Sequence, residues 1–237
     1  MVQPPAKIRV YLEVGSQRTF AGAIDWPGWS RSGRDELSAL GALIACGPRY
    51  ARVLQAAQLD DTQRTFLFSP PTNISEIVVT ERLKGSSTTD FGSPAVAPSV
   101  DEAPVSDEEL RRLAAVLEAC WQAFAAAVEA AQGKELRKGP RGGGRDRTEI
   151  VQHVIEANGA YLERIAWKPA VVEASDPQRQ MGWMLEESLK ALAGAAAGEL
   201  PLRGPRGGVR WTPRYFVRRT AWHVLDHAWE VEDRAGS

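Results

Sequence analysis

Apolar and polar residues alternate at the start of the chain, then settle into a helical period for most of the rest. Ile8, Val10, Leu12 and Val14 fall on one face of an extended segment over residues 7–14, and a second strand is predicted over 18–24. Gly15-Ser16-Gln17 turns the chain between them. Trp26-Pro27-Gly28-Trp29 is a further tight turn before a short strand near Ser30. Leu37, Leu40, Leu43 and Ile44 then predict a helix over 35–54, which Gly47-Pro48 is expected to interrupt. Ile77-Val78-Val79 marks a strand within 74–83. Together these elements predict an α+β domain over residues 1–84, a small antiparallel sheet with one helix.

Residues 85–104 are rich in Ser, Thr, Pro and Gly and carry no hydrophobic period, so 85–105 is expected to be a linker. From Ser106 the pattern is helical. Ser106 and Glu109 form a capping-box pair ahead of Leu110, Leu113, Leu117, Trp121, Phe124 and Val128. A second helix is predicted from Asp146 or Thr148 to about Trp167, and a third from Asp176-Pro177 to near Gly198. A fourth starts at Thr212-Pro213 and meets no breaker before Gly236. Four amphipathic stripes bury one another most simply as an all-α four-helix bundle over 106–237.

Composition narrows the reading only slightly. The net charge of −1 offers no global attraction to nucleic acid or to an anionic membrane, so neither is an expected partner. No apolar run is expected to reach membrane-spanning length, and the first residues lack a signal-peptide core, so the cytoplasm is the expected location. Cys46 and Cys120 stand alone without a CxxC and read as small buried hydrophobes in a reducing compartment. Heavy Ala, Arg and Gly usage is what a high-GC bacterial genome would give, so a bacterial source is the expectation. The sequence leaves room for an oligomer.

Candidate chemistry lies with the histidines. His223 and His227 are four apart and project from one side of the fourth helix, while His153 lies on the second. On a helical projection all three sit at the shoulder between an apolar arc and a polar edge, where they face a neighbouring helix yet stay within reach of solvent. Three neutral imidazoles with an open position suit a divalent metal that activates water or a thiol. Glu230 and Glu149 are one turn from His227 and His153 and could orient these rings, although most such carboxylates are solvated helix charges. No G-x-S-x-G elbow, phosphate-binding loop or dinucleotide fingerprint offers competing chemistry. Two near-copies, KGPRGGGR and RGPRGGVR, precede the two histidine-bearing helices. If consecutive helices alternate in direction, Arg141, Arg145, Arg206 and Arg210 ring one mouth and attract an anionic small-molecule substrate. Otherwise they are solvated arginines in glycine-rich loops.

Two resemblances add to this. Residues 106–234 resemble the DinB-like superfamily of four-helix metalloenzymes, through DRTEIVQHVIEANGAYL with His153 and RRTAWHVLDHAWEVEDR with His223 and His227. That resemblance implies a divalent ion, zinc or nickel, on three imidazoles and water. It also implies a metal-dependent transferase or hydrolase, with thiol-dependent S-transferases and isomerases in the class and a low-molecular-weight thiol as cosubstrate. The stretch FAGAIDWPGWSRSGRDELSALGAL resembles the small HicB-like α/β domain, without the DNA-binding tail that often accompanies it. The rival reading is a non-catalytic binding or regulatory protein with a structural or vestigial metal site. In it the N-terminal sheet, with Trp26 and Trp29, serves as an interaction module.

Overall fold

The alternation at the start of the chain becomes β1 (Ile8–Val14), which pairs antiparallel with β2 (Thr19–Ala23). β3 (Ser30–Gly33) extends the sheet antiparallel from β2. The structure, a computed structural model, describes residues 7–56, 68–138, 144–169, 176–204 and 207–235. The chain divides into two units, Met1–Ala103 and Pro104–Ser237.

The first unit departs from expectation in its fourth strand. β4 (Ile77–Lys84) lies parallel to β1, so the order β3-β2-β1-β4 makes the whole sheet mixed rather than antiparallel. Helix α1 (Glu36–Ala56) intervenes between β3 and β4, and a crossover connection lets the chain re-enter in the direction of β1. The side-chain oxygen of Asp35 caps α1 by accepting from Ser38 N at 2.8 Å.

The helix does not break at Gly47-Pro48; Pro48 sits inside it. Proline deprives the Ile44 carbonyl of its usual donor. One residue away, the indole N–H of Trp29 donates to Leu43 O at 3.0 Å, so side-chain support enters the helix at the weakened turn. Gly47 also brings the helix close to Pro70, where a Cβ would come within 2.8 Å. Trp29 itself is buried and stacks on Tyr50, making it part of the core rather than a surface for partners.

Residues 85–103 are more than a tether. They contain α2 (Ser87–Phe91), with a complete capping box between Ser86 and Thr89, and a 3-10 turn over Ser99–Glu102. Asp90 accepts from the backbone N–H groups of Ser16, Gln17 and Arg18 in the β1–β2 turn. The fully buried Glu13 of β1 accepts from Ala95 N, Val96 N and the Thr89 hydroxyl. The segment thus belongs to the first unit.

The second unit is a bundle of α3 (Asp107–Ala130), α4 (Arg147–Arg164), α5 (Pro177–Ala196) and α6 (Pro213–Ala235). α3 and α4 each pack against both α5 and α6. The expected caps at Asp146, Asp176 and Thr212 are in place. Only half of the Ser106 box forms: Ser106 Oγ accepts from Glu109 N, but the Glu109 carboxylate pairs with Arg214 instead. Against expectation, α3 is long and apolar enough to cross a membrane; in the bundle its apolar residues, among them Leu113, Leu117 and Phe124, are buried.

Helix directions do not alternate. The Glu109–Arg214 pair brings the starts of α3 and α6 together. Trp211 N donates to Arg164 O at 2.9 Å, so the start of α6 lies at the end of α4. At the opposite end a Cβ on Gly144 would stand 2.9 Å from Arg234 Nη2. Arg210 donates to Leu200 O at 2.8 Å, which places the end of α5 beside the start of α6. The order is therefore up, down, down, up.

Candidate metal centre

Antiparallel packing of α4 on α6 brings His153 against both His223 and His227, at ring-centroid distances of 5.2 and 4.9 Å. The ligand nitrogens of the three lie within 4.8 Å of one another. His223 Nε2 and His153 Nε2 are 3.3 Å apart. Two imidazole lone pairs cannot face each other at that distance unaided; either one nitrogen carries a proton or a cation lies between them. A tetrahedral ion with nitrogen ligands at about 2.0–2.1 Å needs nitrogen pairs about 3.3 Å apart, the separation found here. His223 is 6% exposed, its Nδ1 has no hydrogen-bond partner among the described residues, and there its ring nitrogens meet only His153. A metal would give that ring a strong partner, and the donor set fits one.

His227 is held differently. Its Nδ1 lies 2.8 Å from Glu230 Oε2, while Glu230 Oε1 accepts from Arg234 Nη1 at 2.6 Å. The hydrogen bond with His227, then that from Arg234, keeps the Glu230 carboxyl below its ordinary range and hence ionised. An ionised carboxylate at Nδ1 fixes the proton there and leaves Nε2 as the lone pair, the usual outer support of a metal-bound histidine. Glu149 has no such role: its carboxylate accepts from Asp146 N in the α4 capping box.

Electrostatics favour the neutral ligand form. Burial holds His153 below the ordinary imidazole value, and the charges of His227 and Arg145 act in the same direction. His223 is lowered much further, chiefly by burial and then by His227 and Arg219. In protein stripped of metal, the unfolded chain binds protons at these two positions below pH about 6.5 while the folded cluster resists them. Conformational stability is accordingly full above that pH and lost as pH falls through the window beneath it. Chelator-treated protein melted between pH 7.5 and 5 should show this decline, and a His153→Gln/His223→Gln variant should flatten it.

The sequence reading passed over two neighbours. Tyr161 has its ring 5.6 Å from that of His223. Arg219 lies over Tyr161 at 5.2 Å and over Trp222 at 4.7 Å. Both were within reach of helical geometry: Arg219 is one turn before His223, and Tyr161 two turns beyond His153. Burial raises the Tyr161 phenol, keeping it a hydrogen-bond donor.

The arginine ring does not form. Arg145 precedes the start of α4, whereas Arg210 lies at its far end, beside Arg164 and engaged with Leu200 O. The reason is the up-down-down-up order, under which α4 and α6 start at opposite ends. Arg141 and Arg206 lie outside the described residues. Comparison with family models, curated proteins and solved structures returns no match.

Proposed function

We propose that the helical unit is a metal-dependent enzyme, a transferase or hydrolase of DinB-like type, in which His153, His223 and His227 hold zinc or nickel. The observation carrying this reading is the convergence of three imidazoles, with His153 and His223 held toward the neutral form by burial and His227 backed by an ionised carboxylate. Bound there, the ion would supply Lewis acidity, drawing the pKa of a water or thiol ligand toward neutrality. Glu230 orients His227, while the rings of Trp222 and Tyr161 limit water around His223. A low-molecular-weight thiol is the proposed cosubstrate, and the HicB-like first unit an accessory module. The site's partial solvent reach through half-buried His153 favours an exchangeable position. The burial of His223 instead favours a second reading, a structural ion in a binding or regulatory protein.

Cobalt substitution separates the two. In an enzyme with an open position, azide or a small thiol should shift the visible cobalt bands; an unresponsive spectrum would reject catalysis in favour of the structural reading. Glu230→Gln should weaken zinc binding by roughly 10–100-fold, by loss of the carboxylate behind His227. Glu149→Gln, altered only at the α4 cap, should leave zinc affinity unchanged in the same chelator competition.

A further inference from the structure

A cleft of about 270 Å³ opens where α4 begins and α6 ends. Its walls include the cations Lys134, Lys138, Arg145, Arg147 and Arg234, against the carboxylates of Glu135 and Asp146. Several of these groups are committed. Arg147 reaches Val128 O, Arg234 bonds Glu230 and Arg137 O, and Asp146 accepts from Glu149 N. The side chains of Lys134, Lys138 and Arg145 have no hydrogen-bond or ion-pair partner among the described residues. A concave site with three uncommitted cations has a clear surplus of positive charge, although the whole chain is nearly neutral.

The cleft is joined to the histidines. Arg234 lines it and donates to Glu230 Oε1 at 2.6 Å, and Glu230 Oε2 meets His227 Nδ1 at 2.8 Å. Arg147, which lines the cleft at the start of α4, stands six positions before His153, about 9 Å at helical rise.

We propose that this cleft anchors the anionic end, a carboxylate or phosphate monoester, of an elongated small-molecule substrate whose reacting group reaches the histidines. Guanidinium and ammonium donors bind both anions through charge-assisted hydrogen bonds, and the guanidinium of Arg145 can do so with two parallel ones. Placement of the reacting end rests on reading the histidines as a metal centre; the anchoring does not.

Calorimetric titration of full-length, chelator-treated protein with inorganic phosphate and with glutarate tests the anchor at low ionic strength. Saturable binding of one equivalent is expected, and the tighter probe assigns the headgroup as phosphate or carboxylate. Arg145→Gln should weaken that binding about tenfold or more, the range for a lost hydrogen bond to a charged group. A Lys134→Gln/Lys138→Gln variant should weaken it likewise. Arg203→Gln, at the other end of the bundle, should not. The proposal is overturned by no saturable binding of either probe, by unchanged affinity in Arg145→Gln, or by equal weakening in Arg203→Gln. Because metal is absent throughout, failure here leaves the metal reading standing. A protein that binds the anion yet takes up no zinc would keep the anchor and lose the metal.

Discussion

Replacing His153 with alanine will abolish stoichiometric zinc or nickel binding while leaving the chelator-treated protein nearly as stable as before. His153 is the one ligand that α4 contributes, so its loss leaves two imidazoles from a single helix. A structural zinc site contributes on the order of 10 kcal/mol or more in total, and deleting one of three protein ligands should cost about a thousandfold in affinity. The same change costs the bare fold little. His153 is only half-buried, and its contact with His223 is a poor hydrogen bond between two rings that resist protonation. Metal at about a hundredfold over Kd should stabilise the natural protein by about 2.7 kcal/mol. For a helical unit of this size that is a rise in Tm of roughly 8–10 °C. Thermal melts with and without chelator should display the rise in the natural protein and none in His153→Ala or His227→Ala. Retained metal stoichiometry in both variants would mean that the ion sits elsewhere.

The histidine constellation was legible because it depends on one helical period and on helix order, both carried by local sequence. His223 and His227 share a face wherever α6 packs, and Asp146 and Thr212 start their helices without tertiary help. The arginine ring failed because it needed relative direction, which no local signal carries. Alternation is the default for short connections, but the pairing of Glu109 with Arg214 at the starts of α3 and α6 belongs to a different order. Pro48 illustrates a second limit: the interruption expected of it does not occur. The Trp29 indole, which donates to the helix one residue from the carbonyl Pro48 leaves without a donor, comes from a distant turn. β4 illustrates a third. Its apolar run was visible, while its direction beside β1 was decided by the crossover through α1. Arg219 and Tyr161 were missed because a residue's hydropathy was allowed to stand for its surroundings.

Glu13→Ala should destabilise the first unit by about 3–5 kcal/mol, far more than a surface carboxylate in a strand would cost. Strict alternation assigns Glu13 to the outer face of β1, which would leave it solvated beside a loose linker. Instead it is fully buried, and residues 86–96 close over it with two backbone N–H groups and the Thr89 hydroxyl. Alanine removes the acceptor and strands those donors in the interior, where each unsatisfied group costs about 1–3 kcal/mol. Glutamine should fall between, since its single amide oxygen replaces one of two carboxylate oxygens while its NH2 group meets donors. Hydrogen exchange followed by mass spectrometry reads the effect locally: the amides of Ala95 and Val96 should be protected in the natural protein and exposed in Glu13→Ala. Free exchange at both amides in the natural protein would return this segment to the status of a linker. Protection would make Glu13 the residue that turns a Ser/Thr/Pro/Gly-rich stretch into part of the fold, because a buried carboxylate must recruit donors and the nearest unpaired ones are in that backbone.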